Sequence, residues 1–352
     1  MNRWSLALML VVVAATGARA GIKWNEVLQQ PGGWYATPEA RSVAEHVLQF
    51  QTESGGWPKN VDMTAAPSAE FLASTAFDHR HATIDNNATT TQIQLLARVN
   101  TATPDPRFAA AVTRALDYLL DAQYPSGGWP QYFPLITGYY THITYNDDAM
   151  VNVLSVLRDV SSGEPPYAFT EARQRERAKV AVQRGIDCIL RTQVRQNGKL
   201  TVWCAQHDEN TFAPAWARNF EPPSLSGNES VGLVRFLMRV DNPTPEIRAA
   251  ITSAVEWFQQ SAVPHLRIDN TVGADGKKDR HAVPDPAAPH LWARFYELGT
   301  NRPIFLGRDR VIHYDFNEIE RERRTGYNYL GTWPERLLDK EYPRWTAQHP
   351  TS

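Results

Sequence analysis

Cysteine is nearly absent from this chain, with Cys188 and Cys204 the only two in 352 residues. A fold stapled by several disulfides is excluded, while one bridge between this pair and two buried thiols read alike in sequence. Neither sign of charge dominates: 36 Lys and Arg stand against 38 Asp and Glu, a formal net charge of −2. No basic stripe runs through the chain, so nucleic acid is not an expected partner. An acidic polymer would have to be met by local clusters of Arg and Lys. Low-complexity tracts are missing too, and the 24 Pro and 20 Gly are scattered rather than pooled in a linker. That spread favours one domain over residues 21–352. The one long apolar run, Leu6 to Ala15, is shorter than the ~20 residues of a membrane span. It follows Asn2-Arg3 and precedes Ala18-Arg19-Ala20, the three-part pattern of a cleaved signal peptide over residues 1–20. The expected product is an exported protein, periplasmic or secreted, beginning near Gly21. It keeps 34 basic against 38 acidic residues, because Arg3 and Arg19 are lost. No membrane contact and a monomeric state are expected after cleavage.

What the sequence does contain is a repeat. Gln51-Thr52-Glu53-Ser54-Gly55-Gly56-Trp57-Pro58 returns as Gln123-Tyr124-Pro125-Ser126-Gly127-Gly128-Trp129-Pro130, and more weakly as Gln193 to Gly198 followed by Trp203. Each copy follows an amphipathic stretch (40–50, 108–120, 175–190) and precedes a second one (89–99, 149–160, 226–240), with Met150, Leu154 and Leu157 showing the helical spacing. A helix, a turn-forming Gly-Gly-Trp-Pro loop and a second helix, three times over, predicts an all-α fold. Its repeated helical hairpins would form a toroid-like α/α barrel with long irregular loops. Trp57 and Trp129 read either as loop anchors in the core or as platforms for a sugar ring. Lys59, where the second copy has Gln131, is a candidate for meeting a carboxylate, the alternative being a solvated lysine.

Polar clusters open the second helix of each hairpin: Asp85-Asn86-Asn87, Asn146-Asp147-Asp148 and Ser226-Gly227-Asn228-Glu229. Taken singly, each reads as a helix cap, and Ser226 with Glu229 has the capping-box spacing. Taken together, equivalent helix ends share a face of the fold. There Asp85, Asn86, Asp147 and Asp148 would present the oxygen ligands a hard cation such as Ca²⁺ requires. No EF-hand loop is present, and His79, His81, His142 and His207 form no compact transition-metal motif.

With these clusters in place, the chain resembles polysaccharide lyase family 10, the helical pectate lyases. The matching stretches include Gly55 to Asn60, Thr83 to Asn86, Ile143 to Met150, Thr201 to Trp203, Glu221 to Gly227, Leu291 to Glu297 and Gly307 to Asp309. They run in order from about Trp34 to Pro334. The resemblance implies cleavage of polygalacturonate by calcium-assisted β-elimination. In that reading Asp85, Asn86 and Asp147 are calcium ligands, and Asp148 is a fourth ligand, a cap or a supporting group. Arg218 is the base that removes the C5 proton, while Arg294 and Arg308 hold uronate carboxylates with Lys59 as a further contact. The chain has Asn219-Phe220 where the family pattern carries a Tyr ahead of Glu-Pro-Pro. Glu221 is a candidate for orienting Arg218, Tyr296 and Trp292 are candidates for the cleft wall, and Lys277 lies in an exposed turn. The run Glu320-Arg321-Glu322-Arg323-Arg324 reads as a solvated face of mixed sign. Two rivals remain: an inverting glycoside hydrolase using Asp147 with Glu221 or Asp85, and an oligouronide-binding protein without catalysis.

Overall fold

A computed structural model describes residues 21–350, so the signal-peptide reading lies outside the described residues. The six amphipathic stretches form helices α1 (Pro38–Gln49), α2 (Thr90–Ala102), α3 (Pro106–Asp121), α4 (Ala149–Ser162), α5 (Ala172–Thr192) and α6 (Glu229–Leu237); a further helix that the repeat pattern did not single out, α7 (Pro245–Gln260), follows, with α8 (Tyr342–Gln348) near the C-terminus. Three of these start the same way. Thr37, Asp105 and Thr244 accept from a backbone N–H of the first turn, and Pro38, Pro106 and Pro245 follow, where a missing N–H costs nothing.

Helices α1, α3, α5 and α7 pack in that order as one layer, and α2, α4 and α6 as a second. The α8 segment extends the second layer, since Glu341 bridges to Arg235 of α6 at 2.6 Å while Tyr342 and Arg248 tie it to α7. Apolar side chains from Val27 to Trp345 form one continuous core between the layers.

Each first-layer helix ends on a tryptophan. The indole N–H groups of Trp57, Trp129, Trp203 and Trp292 donate to the carbonyls of Val47, Leu119, Ile189 and Phe258, at 2.7 to 2.8 Å. These carbonyls lie in the last turns of α1, α3, α5 and α7, where the i to i+4 ladder runs out and carbonyls need partners from outside it. Trp57, Trp129 and Trp203 are fully buried, so they are anchors and not sugar platforms. Trp292, expected in the cleft wall, has the same anchoring role, and Tyr296 is buried beside it with its hydroxyl on Ser261 O. Trp292 therefore marks a fourth repeat that the sequence pattern hides. Glutamine provides a second fixed link. Gln51, Gln123 and Gln193 each donate from Nε2 both to their own loop and to the next first-layer helix. Gly127 has to be glycine: its φ is +93°, and a Cβ would lie 2.1 Å from Arg184 O.

The expected all-α barrel is not what forms. Among the described residues, six two-stranded antiparallel pairs lie between the helices. Leu266–Val272 with Lys278–Pro284 is a long hairpin inserted between α7 and Trp292. The others are two-residue pairs, such as Ile143–Thr144 with Gln206–His207, Leu225–Ser226 with Phe295–Tyr296, and Trp292–Ala293 with Leu330–Gly331. They exist because the buried loops must satisfy their backbone groups. Thr83, Thr144 and Ser226 donate N–H to the carbonyls of Trp57, Trp129 and Trp203, and the next residues Ile84, Tyr145 and Gly227 donate to Gln131, Ala205 and Arg294 in the following repeat. The polar turn of each repeat is thus sewn between two tryptophan strands. The turn of the Leu266 to Pro284 hairpin, with Lys277, is exposed as expected. Cys188 and Cys204 are buried free thiols.

Candidate active site

The stitching places two kinds of side chain at one end of the repeats. Two residues past each tryptophan stand Lys59, Gln131, Ala205 and Arg294, and the polar turns present Asp85, Asn146, Asp147 and Glu229. Donors thereby meet acceptors across neighbouring repeats. Asp85 Oδ2 receives both Lys59 Nζ at 2.8 Å and Gln131 Nε2 at 2.7 Å. Burial of Lys59 opposes its charge, but the Asp85 carboxylate outweighs this and raises the lysine pKa.

The first two polar clusters do not cap their helices: the N-cap of α2 is Thr89 and that of α4 is Asp148, and neither makes a side-chain cap bond. Their backbone explains the residue types instead. Asn86 and Asn87 have φ of 51° and 61°, and Asp147 and Asp148 have 50° and 59°. Asn and Asp tolerate this left-handed region better than other side chains with a Cβ. In the third repeat the turn is shorter. Ser226 Oγ accepts from Glu229 N at 3.1 Å and its hydroxyl donates to the Glu229 carboxylate, but the Ser226 N–H is taken by Trp203 O, so the reciprocal capping box expected from the spacing does not form.

Arg294 links three repeats. Its Nη2 donates to Asn146 Oδ1 at 3.2 Å, Asp147 Oδ1 at 3.1 Å and the buried Glu229 carboxylate. Among the described residues Nη1 makes no hydrogen bond, and Nε is buried without a partner. Burial works against the charge of Arg294, yet Glu229 and Asp147 push its pKa up. A guanidinium clamped through one nitrogen keeps its other edge for a ligand carboxylate.

Arg218 sits on Glu221, with Nε 2.8 Å from Oε2 and Nη2 2.5 Å from Oε1. This bidentate pair fixes the Arg218 side chain against Glu221. Despite burial, Arg218 holds the Glu221 carboxyl below its ordinary range, and Glu221 raises Arg218. The Phe220 ring lies under Arg218 at 4.8 Å and near Arg308 at 5.9 Å. Arg308 is exposed and paired to Glu322. The segment after it is no solvated face. Arg323 and Arg324 are buried, and Arg324 makes two bonds to Asp279 on the inserted hairpin. The run Glu320 to Arg324 therefore locks the C-terminal loop against the hairpin.

A tyrosine from that loop, Tyr327, belongs to none of the sequence motifs. Its ring lies 4.7 Å from the Arg294 guanidinium and 5.6 Å from that of Arg218, and its hydroxyl donates to Glu221 Oε1 at 2.8 Å. Glu229 was legible only as a cap, and nothing in its spacing pointed to Arg294.

Of the four residues expected to ligate a cation, three fit by donor type. Among the described residues Asp85 Oδ1 accepts no hydrogen bond, Asn86 uses only its amide nitrogen, on Asn60, and Asp147 is well exposed, its two oxygens accepting from Arg294 and Asn146. All offer oxygen, as a hard cation requires. Asp148 is turned toward Gly232 of α6, where a Cβ would lie 1.9 Å from its Oδ1. It borders a cavity of about 690 Å³ between α2, α4, α6 and α8. Desolvation, with Glu229 and Asp147 nearby, pushes its pKa up to about 6. Another ligand-rich spot lies apart from these residues. His142, Asp208 and Glu209 come together at the end of the Ile143–Thr144 strand pair, their ligand atoms within 4.8 Å of one another. Sequence spacing concealed this group, because His142 stands 67 residues from its partner Glu209.

A family model described as pectic acid lyase matches residues 51–338. Among solved structures, the family 10 polysaccharide lyase from Cellvibrio cellulosa is 35% identical, with 89% of this chain and 94% of that chain covered and a TM-score of 0.76. A mutant of the family 10 polysaccharide lyase from the same organism, in complex with trigalacturonic acid, is 33% identical over 92% of this chain and 99% of that one, also with a TM-score of 0.76. Among curated proteins no match is found.

Proposed function

Because the chain belongs to the pectic acid lyase family and is a pectate lyase, we propose that it cleaves polygalacturonate by β-elimination with a calcium ion held by Asp85, Asn86 and Asp147. The observation that carries this reading is the pairing of oxygen donors with half-free guanidinium edges at one end of the repeats. Calcium bound there supplies positive charge to the uronate carboxylate, which makes the neighbouring C5 proton more acidic.

The protein's own groups do the rest. Arg294 offers Nη1, and exposed Arg308 its guanidinium, to uronate carboxylates. Arg218 takes the C5 proton, the C4–O bond breaks as the double bond forms between C4 and C5, the leaving oxygen takes a proton from solvent water, and Arg218 returns its extra proton to solvent. Lys59 and Gln131 hold Asp85 in place. The trigalacturonic acid in the Cellvibrio complex supports an oligogalacturonide as ligand.

The hydrolase alternative needs one carboxyl protonated at neutral pH. Glu221 is a poor choice for that acid because Arg218 holds it ionised. We further propose that the mature enzyme is an exported single-domain monomer. Among the described residues, no helix is long and apolar enough to cross a membrane.

The test is ultraviolet absorbance of unsaturated product from polygalacturonate, with and without chelator. Wild type should form product only with calcium, and Asp147→Ala should lose at least about 100-fold in rate, as expected when a group that stabilises developing charge is removed. Full activity in chelator would remove the calcium from the reading. New reducing ends without ultraviolet absorbance would establish a hydrolase.

A further inference from the structure

A proton acceptor must spend part of its time neutral, yet Arg218 is gripped by Glu221 in the manner that most favours its charge. The same Glu221 oxygen that accepts from Arg218 Nη2 also accepts from the Tyr327 hydroxyl. The Tyr327 ring is meanwhile the surface against which the guanidinium groups of Arg218 and Arg294 both rest. It cannot easily drift, being stacked on Phe295 at 6.2 Å with an interplanar angle of 15° and set edge-on to Tyr329 and Phe220.

We propose that Tyr327 is a positioning residue for the elimination, its ring spacing the base from the uronate-holding Arg294 and its hydroxyl steering Glu221 so that Arg218 presents Nη1 to the sugar. The proposal rests on the lyase reading and on Arg218 as base. Two consequences separate the ring from the hydroxyl. Without the hydroxyl, all the negative charge on Glu221 falls to Arg218, so the guanidinium is held more firmly as a cation while its place is kept. Without the ring, both arginines lose the face that spaces them, and substrate carboxylates are met less well. The titratable groups facing Arg218 include Glu221, Tyr327, Tyr139, Tyr329 and Arg308, and only the Tyr327 hydroxyl is altered in Tyr327→Phe.

The experiment measures kcat, KM and the pH profile of kcat on polygalacturonate for wild type, Tyr327→Phe and Tyr327→Ala, with thermal midpoints alongside. Tyr327→Phe should keep KM within about threefold, lose about tenfold in kcat, the effect of one hydrogen bond to a charged group, and need a higher pH for half-maximal kcat. Tyr327→Ala should lose more kcat and also raise KM. Wild-type kcat and pH profile in Tyr327→Phe would overturn the proposal, as would a kcat loss that merely follows a lowered thermal midpoint. Absence of unsaturated product from wild type itself would instead remove the lyase reading, so the two failures are distinguishable.

Discussion

Lys59→Met tests the cation site without touching an oxygen ligand. Methionine keeps most of the length and apolar stem of lysine but removes the ammonium from Asp85. The ion pair is 2.8 Å long, and the side chains are 15% and 8% exposed. At an effective dielectric constant of about 20 the gross attraction is roughly 6 kcal/mol, much of it offset by desolvating both ions. The measurable quantity is the cost of leaving Asp85 unpaired, about 3 to 5 kcal/mol for a buried pair. Gln131 still donates to the same oxygen, which places the loss at the lower end, about 3 kcal/mol. For a chain of this size that is a fall of roughly 5 °C in thermal midpoint. This deficit should appear in chelator and shrink to under about 2 °C in saturating calcium, because a bound cation substitutes for the missing ammonium and stabilises by mass action. The assay is a thermal melt of wild type and variant across a calcium titration. An equal deficit with and without calcium would refute the assignment of Asp85 as a ligand.

The tryptophan anchors and one histidine give independent tests. Trp129→Phe leaves the Leu119 carbonyl without its donor in the dry core, so chemical denaturation should show a loss of about 3 kcal/mol, the unpaired carbonyl and the smaller ring together. His207 is buried, donates to Phe212 O and accepts from Cys204 N, and burial lowers its pKa to about 4. The unfolded chain, with a histidine pKa of about 6.5, binds the extra proton between these values. The contribution is therefore complete above pH ~6.5 and is lost as pH falls to ~4, about 3 kcal/mol in all. Urea midpoints at pH 7 and 4.5 should show wild type losing about 2 kcal/mol more than His207→Gln.

Six helices were legible from apolar spacing and the repeat, as in Met150, Leu154 and Leu157 of α4, whereas α7 was passed over although Thr244-Pro245 opens it with the same cap and proline as Thr37-Pro38. The β pairs were not, because a two-residue strand such as Ile143–Thr144 has no alternation to display. The fourth repeat was hidden by the Leu266 to Pro284 hairpin, which parts α7 from Trp292. Asp85, Asp147, Arg294 and Arg218 could be found by type and motif. Their partners could not: Glu229 imitates a cap, Tyr327 follows a short helix near the C-terminus, and Asp148 shares a turn with Asp147 yet faces another way. Sequence spacing reports which residues are neighbours along the chain, whereas these contacts arise where separate repeats abut.

The stitched loops also say how such a site can change. Each repeat fastens its loop with a buried indole, and the residue two places further on stands beside a polar turn of the neighbouring repeat. Lys59, Gln131, Ala205 and Arg294 thus occupy four equivalent posts on one frame, of which three are tied to the polar turns by their side chains. Ala205 alone carries no functional group, so it is the post where a polar substitution would change the charge beside the turns without breaking an existing link, and a new preference for differently charged polymers would start there.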